Sequence, residues 1–366
     1  LDDLRNLIEY FKIPLTTAWT HDLIETSHPL FIGRPGTIGT RPGNFAIQNA
    51  DLIIVIGSRL NIRQISYNFK SFGKNAKVYH IDIDFNELKK PLYNANFKIH
   101  SDANFFIKKF HKLLVKKNYK KVPTRWIKYC KDVKNDFDVM KEKFLDDKKI
   151  INPYFMINSI FINSKPSDIF VSANASACII PFQVAKLKKK QRLFSNSGSA
   201  SMGYELPAAI GAALASKNKR IICFAGDGSI MMNLQELQTI KTYSLNIIII
   251  LINNSGYLSI KQTHNNFFNN EIGASPKSSV GFPRFKDITN VFGIKSIEIK
   301  SKSKLDHFVR TFDELKGPML IDMHVNSKQE FIPRLKSRIG DDGKFITPEL
   351  DDMFPFLTKE KFPIYT

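Results

Sequence analysis

Residues 220–260 read RIICFAGDGSIMMNLQELQTIKTYSLNIIIILINNSGYLSI. Arg220–Ala225 is a short apolar run of strand length, and it ends in Gly226-Asp227-Gly228-Ser229. Ile230–Tyr243 has helical spacing. Asn246–Ile252 is a second apolar run, closed by Asn253-Asn254-Ser255-Gly256-Tyr257. Continuous apolar runs bounded by turn residues predict strands buried on both faces, as in a parallel sheet. If the two strands are neighbours, one helical crossover brings Asp227 and Asn254 to the same sheet edge, where ligands of open α/β sheets bind.

Those residue types suit one chemistry. The glycines permit a tight turn and a close approach of backbone to a ligand. Backbone N–H groups at the start of the next helix can hold a phosphate, helped by the helix dipole. Asp227 beside that phosphate needs a divalent cation, because a bare carboxylate repels an anion. Magnesium fits: it takes hard oxygen ligands and keeps phosphate oxygens in its shell. Asn254 offers a neutral amide oxygen and Gly256 a carbonyl. GDG alone reads better as a plain strand–turn–helix with an Asx turn. GDG followed, after a helix and a buried strand, by NN is far more specific.

Outward from this stretch the alternation continues. Leu52–Gly57 and Lys77–Asp84 read as strands, Phe105–Lys117 and Pro123–Phe144 as helices. Asp146–Pro153 is the best boundary, with Asn152 as N-cap and Pro153 in the first helical position. Ile169–Ser172, Ile294–Ile299 and Met319–Val325 read as further strands and Gly203–Ala215 as a small-residue helix. The expected organisation is α/β with two doubly wound parallel-sheet domains, 1–147 and 148–330, and a tail 331–366 with a Gly340–Gly343 turn.

Three segments carry a family resemblance: GDGSIMMNLQELQTI with IIILINNSGYLSI, SNSGSASMGYELPAAIGAALA at Ser195–Ala215, and HPLFIGRPGTIGTRPGNFAIQNADLIIVIGSRL with YHIDIDFNEL in the first half. Together they resemble the acetolactate synthase-like group of thiamine diphosphate-dependent enzymes, over its central and diphosphate-binding domains. The resemblance implies that Asp227, Asn254 and the Gly256 carbonyl hold Mg2+, and that Gly228 and Ser229, after Gly226, bind the diphosphate. It also implies that Met202 supports the bent cofactor, with Tyr257 beside it, and that Ala200 offers a carbonyl to the aminopyrimidine. Without the resemblance, Met202 reads as an ordinary core methionine. The implied reaction is decarboxylation of a small 2-oxo acid, followed by carboligation or protonation, in a homodimer or homotetramer.

Departures from the pattern are informative. Where the family often has GQHQMW, this chain has Ala175-Ser176-Ala177-Cys178-Ile179-Ile180; backbone N–H groups and Ser176 remain as diphosphate contacts. Glu205 replaces a usual glycine and reads as a helix N-terminal carboxylate. The family's activating glutamate lies on a pyrimidine-binding domain that no segment here resembles, so it is expected outside this chain. A specialised paralogue in surface-polysaccharide or sulfonate metabolism, and a non-catalytic remnant or split subunit, both stay open. In acetolactate synthases the central domain binds FAD; in other members it is empty or binds a nucleotide. GxGxxG is absent, but Gly36, Gly39 and Arg41 can approach a phosphate. Asp82 and Asp84 suit either a ribose or a capped strand end.

Composition bounds the rest. The chain has 366 residues, 54 Lys+Arg against 34 Asp+Glu, and a net charge of +20. The lysines accompany many Asn, Ile and 30 Phe, a whole-sequence bias, and they fall on solvated helix faces. No Arg-rich stripe with interleaved aromatics is present, so no nucleic-acid partner is expected. No apolar run reaches the roughly 18 residues of a membrane span. Three scattered cysteines and eight histidines form no metal spacing and fit a reducing cytoplasm.

Overall fold

The computed structural model describes residues 2–19, 22–90, 95–119, 122–145, 149–217, 219–339 and 344–365. Leu1, His21, residues 146–148 of the expected boundary and the Gly340–Gly343 turn lie outside them. The chain divides into two compact units, Leu1–Ala18 with Ser27–Glu142 and Ile332–Thr366, and Trp19–Thr26 with Lys143–Phe331.

In the first unit, β1 (Leu15–Thr16) pairs in parallel with β2 (Phe31–Gly33), and β3 (Leu52–Ile56), β4 (Lys77–Asp82) and β5 (Phe97–His100) form a parallel sheet. The glycine-rich loop after β2 folds on itself. A Cβ on Gly39 would fall 2.3 Å from the Arg34 carbonyl oxygen, and one on Gly43 2.7 Å from Pro35 N. These glycines are required by the loop's own backbone. Arg41, expected near a phosphate, is buried: Nε meets Glu142 at 2.5 Å and the Nη groups donate to the carbonyls of Met353 and Pro355. Asn44 donates to the Leu350 carbonyl at 2.7 Å. These bonds tie the C-terminal segment into this unit, where Leu350 joins the core around Ile53, Val55 and Ile65.

The second unit is built on β6 (Ile169–Ser172), β7 (Arg192–Ser195), β8 (Ile221–Gly226), β9 (Ile247–Asn253), β10 (Lys295–Ile299) and β11 (Met319–His324). Among the described residues they form one sheet in the order β10-β11-β9-β8-β6-β7, with every neighbouring pair parallel. Ile221–Ala225 and Ile247–Ile252 are at most 1% exposed, which is why these strands read as unbroken apolar runs rather than alternating ones. After β6 the chain winds outward to β7 and then returns to the other side of β6 for β8. That reversal opens a crevice at the C-terminal ends of β6 and β8, where ligands of doubly wound sheets bind.

Local conformation adjusts two of the expected helices. The helix read from Gly203 starts at Glu205, because Gly203 has φ +80°. Ile230–Tyr243 is not one helix: a single turn Asp227–Ile230 and a 3-10 turn Met231–Asn233 precede Glu236–Thr242. No helix among the described residues is long and apolar enough to cross a membrane, and Cys130, Cys178 and Cys223 are buried.

A buried ion pair closes the far end of this sheet. Arg220 donates to Asp168 at 2.9 and 2.5 Å, and to the carbonyls of Phe312, Asp313 and Leu315. Removing one partner strands a desolvated charge. Arg220→Ala is therefore expected to lower stability by about 3–5 kcal/mol in urea unfolding followed by circular dichroism. A loss below about 1 kcal/mol would show that Asp168 finds other partners.

Candidate cofactor site

Four loops leave the C-terminal ends of β6, β7, β8 and β9, and the residues singled out in the sequence sit on them. Ala175 and Ser176 follow β6, Ala200 and Met202 follow β7, Gly226–Ser229 closes β8, and Asn254, Gly256 and Tyr257 follow β9. The register Gly226↔Ile252 places Asp227 beside the start of the Asn253–Asn254 turn.

Asp227 is 2% exposed. One carboxyl oxygen takes the Gly228 N–H at 2.8 Å and the other the Gly256 N–H at 3.0 Å. Burial pushes the carboxyl up to about 6, against the pull of the N–H groups of Gly256, Gly228 and Ser255 and the charge of Lys261. Gly256 has φ +141°, and a Cβ there would lie 2.2 Å from the Ala274 carbonyl oxygen, so no other residue fits the turn. Asn254 is buried and donates its amide to Ser176 Oγ at 3.1 Å. Its Oδ1 is buried without a hydrogen-bond partner. A stranded amide oxygen costs about 1–3 kcal/mol. A hard cation is a ligand that would satisfy it, so the donor set of Asp227 and Asn254 fits magnesium.

Other positions differ from the sequence reading. Gly228 is glycine because the Tyr257 ring lies on it: a Cβ would fall 2.1 Å from Tyr257 Cε1. Gly226 has open space around it, with 3.8 Å to Ser229 Cβ. The helix expected to lend its dipole is one turn long, and the Gly228 N–H is held by Asp227. The longer helix Ser176–Val184 starts after Ala175, which has φ +44° and provides no side-chain cap. Ala200 has φ +53°; its carbonyl lies 3.5 Å from the Asn174 amide nitrogen. Met202 and Tyr257 are half-buried, whereas Leu258 is buried.

Glu205 is the residue whose contact the sequence did not reveal. Read as a helix-end carboxylate, it is fully buried at the first position of Glu205–Ala215. Its Oε2 accepts the Ser229 hydroxyl at 2.9 Å, and Ser229 Oγ accepts the Gly203 N–H at 3.0 Å. Burial drives the carboxyl up to about 7, against hydrogen bonds from its own N–H, Ser229 and Gly203. A carboxylate in place of the family's glycine was the available signal.

The first unit has its own cavity of about 340 Å³ at the ends of β3 and β4, lined by Gly57, Arg59, Asp82, Asp84, Ser101 and Asp102 among others. Arg59 is paired with Glu87 at 2.9 Å, and Asp84 caps the next helix through the Asn86 N–H. Asp82 Oδ2 is buried there without a hydrogen-bond partner, 3.8 Å from His80 Nε2, and Glu87 Oε2 meets Lys90, so the acidic lining suits ribose hydroxyls better than a phosphate.

Two expectations follow. Gly228→Ala displaces the Tyr257 ring and should cost about 1–3 kcal/mol of stability; in a Tyr257→Ala background the same change should cost almost nothing by thermal melting. Glu205 is raised in the folded state, so its neutral form stabilises the fold below the ordinary carboxylate range and that contribution fades as pH rises toward 7. Glu205→Gln should remove a loss on the order of 3 kcal/mol between pH 4.5 and 7, leaving the smaller slope from Asp227. Urea midpoints across that range measure it, and an unchanged slope would show that Glu205 is ionised throughout.

Comparison with known proteins places this geometry. The thiamine pyrophosphate enzyme C-terminal TPP binding domain matches residues 176–323, and the thiamine pyrophosphate enzyme central domain matches residues 1–110. The chain is 31% identical to the acetolactate synthase large subunit of Cyanidium caldarium, over 91% of this chain and 56% of that protein. It is 28% identical to the acetolactate synthase isozyme 1 large subunit of Escherichia coli K12, over 90% and 57%. With the large subunit from Lactococcus lactis the figures are 29%, 96% and 60%. The chain thus spans somewhat more than half the length of the curated relatives it matches. A switch-point crevice carrying GDG and NN on adjacent strands, in a sequence matching both domains, means that this chain belongs to the acetolactate synthase-like family of thiamine diphosphate enzymes, whose cofactors are thiamine diphosphate and magnesium.

Proposed function

We propose that this chain contributes the diphosphate- and magnesium-binding half of a site that decarboxylates a small 2-oxo acid and passes the product to a second carbonyl or a proton. The observation that carries the reading is the pair Asp227 and Asn254 on adjacent strand ends, one a buried carboxyl and the other a buried amide oxygen with no protein partner. Asp227, Asn254 and the Gly256 carbonyl hold the cation, which lets an anion settle beside a carboxylate. The turn at Gly228–Ser229 and the start of Ser176–Val184 would lie against the diphosphate, with the Gly228 N–H given to Asp227 and those of Ala177 and Cys178 to the Asn174 and Ala175 carbonyls. Met202 and Tyr257 supply apolar wall, and Ala200 a carbonyl for the aminopyrimidine amine. Bound thiamine diphosphate supplies the nucleophilic carbon and the electron sink; the protein supplies orientation, charge balance and exclusion of water.

A second copy of the chain is the proposed cover. The segment after Tyr257 exposes Ile260, Phe267, Phe268 and Ile272 at 41–68%, apolar surface of the kind that marks an interface. A homodimer or homotetramer meets that need. The activating carboxylate is assigned to protein outside this chain. For the first unit we propose a nucleotide-bearing ligand whose ribose meets Asp82, with FAD one such ligand.

Titration calorimetry tests the reading. The purified protein should bind thiamine diphosphate in the presence of Mg2+ and bind it at least tenfold more weakly with EDTA. Asp227→Ala and Asn254→Ala should each weaken binding by at least tenfold, about 1.4 kcal/mol. Binding that ignores both the metal and the two substitutions would overturn the assignment.

A further inference from the structure

Ser229 has one hydroxyl proton, and the fold has already used it. Oγ accepts the Gly203 N–H at 3.0 Å and donates to Glu205 Oε2 at 2.9 Å. Asn233 in turn donates to the Gly203 carbonyl at 2.8 Å. A Cβ on Gly203 would lie 2.7 Å from Met232 Cβ, so the loop after β7 is seated directly on the turn after β8. Glu205 is the third point of this brace. It is fully buried, its other oxygen Oε1 has no partner, and it begins the helix that follows the loop.

A buried carboxyl is costly to place, more so where an anion is to bind. A glycine at this position would leave the Ser229 hydroxyl free to turn outward and donate to a phosphate oxygen. With Glu205 present, the hydroxyl is turned inward and the crevice wall is fixed. We propose that Glu205 is a positioning residue: it clamps the Ser229 hydroxyl away from the diphosphate, so that Ser229 serves the anion through backbone alone and the affinity of the site depends on the Gly203–Ser229–Glu205 brace. The inference rests on the diphosphate–magnesium reading above and states how that site is built.

The probe is inorganic diphosphate with Mg2+, titrated calorimetrically into the purified protein, because it engages the diphosphate half alone. Four variants are compared: Glu205→Gln, which keeps an acceptor for Ser229; Glu205→Met, which fills the same volume without one; Ser229→Ala; and the double variant Glu205→Met/Ser229→Ala. The brace predicts that Glu205→Gln stays within about twofold of wild type. Glu205→Met and Ser229→Ala should each weaken binding about tenfold, the scale of one lost hydrogen bond. The double variant should be no weaker than either single one, since all break the same contact. If Ser229→Ala weakens binding while Glu205→Met leaves it unchanged or tighter, the hydroxyl serves the anion and the proposal is wrong. Additive losses also overturn it. Glu205→Ala replaces Glu205→Met should circular dichroism show the latter unfolded. Absence of any Mg2+-dependent diphosphate binding by the wild type removes the site reading and this inference together. Normal wild-type binding that is indifferent to Glu205 removes only the inference.

Discussion

A carboxyl kept out of water at the end of an apolar sheet is the constraint from which this site is built. Asp227 follows β8, whose Ile221–Ala225 stretch sees no solvent, and it is itself 2% exposed. An acid there is tolerable only if its oxygens are met by fixed donors. Those donors are the N–H groups of Gly228 and of Gly256, the latter arriving from the end of β9. One hydrogen bond therefore joins the turns of two neighbouring strands. It demands the parallel register of β8 with β9, the glycine at 256 with φ +141°, and the close seat of that turn on Ala274. Asn254 lies between, anchored through its amide to Ser176 at the end of β6. The three strand ends are tied together by polar atoms, while the strands themselves are held by burial.

Much of this was legible in the sequence because it obeys short-range rules. The β8 and β9 runs are apolar throughout since both faces are covered, and the glycines and asparagines after them mark the turns. Other parts answered to tertiary contact and left no local sign. Gly228 looked like a ligand-approach glycine, yet it accommodates the Tyr257 ring, a residue on another strand's loop. The glycines of residues 33–43 looked like a phosphate loop, yet their backbone packs on itself and Arg41 is engaged by Glu142 and the C-terminal segment. That segment reads as a separate tail, because nothing in Leu350 or Met353 announces which surface will bury it. β7, Arg192–Ser195, carries no apolar run and is a strand only through its pairing with β6. The expected long helix from Ile230 is broken by a 3-10 turn at Met231–Asn233, where the Asn233 side-chain amide donates to the Gly203 carbonyl.

The charges of the crevice argue for the order in which its ligands act. Asp227 and Glu205 are both buried, and their hydrogen-bond partners are backbone N–H groups and one serine hydroxyl rather than lysines or arginines. Burial raises both acids, Asp227 to about 6 and Glu205 to about 7, so each still carries part of its negative charge near pH 7. A diphosphate brings several negative charges into that place. The chain's net charge of +20 is no remedy, because surface lysines act through solvent and are screened over roughly 8–10 Å. What the crevice offers instead is local: an amide oxygen of Asn254 that is buried without a hydrogen-bond partner. That oxygen cannot bind an anion, and like Glu205 Oε1 it is buried without a hydrogen-bond partner. On the proposed reading, a divalent cation held by Asp227 and Asn254 would satisfy it, favour the charged form of Asp227 and let a diphosphate settle beside a carboxylate. The proposed site thus takes its anion through the metal, and the unpartnered Asn254 oxygen is the observation that supports that reading.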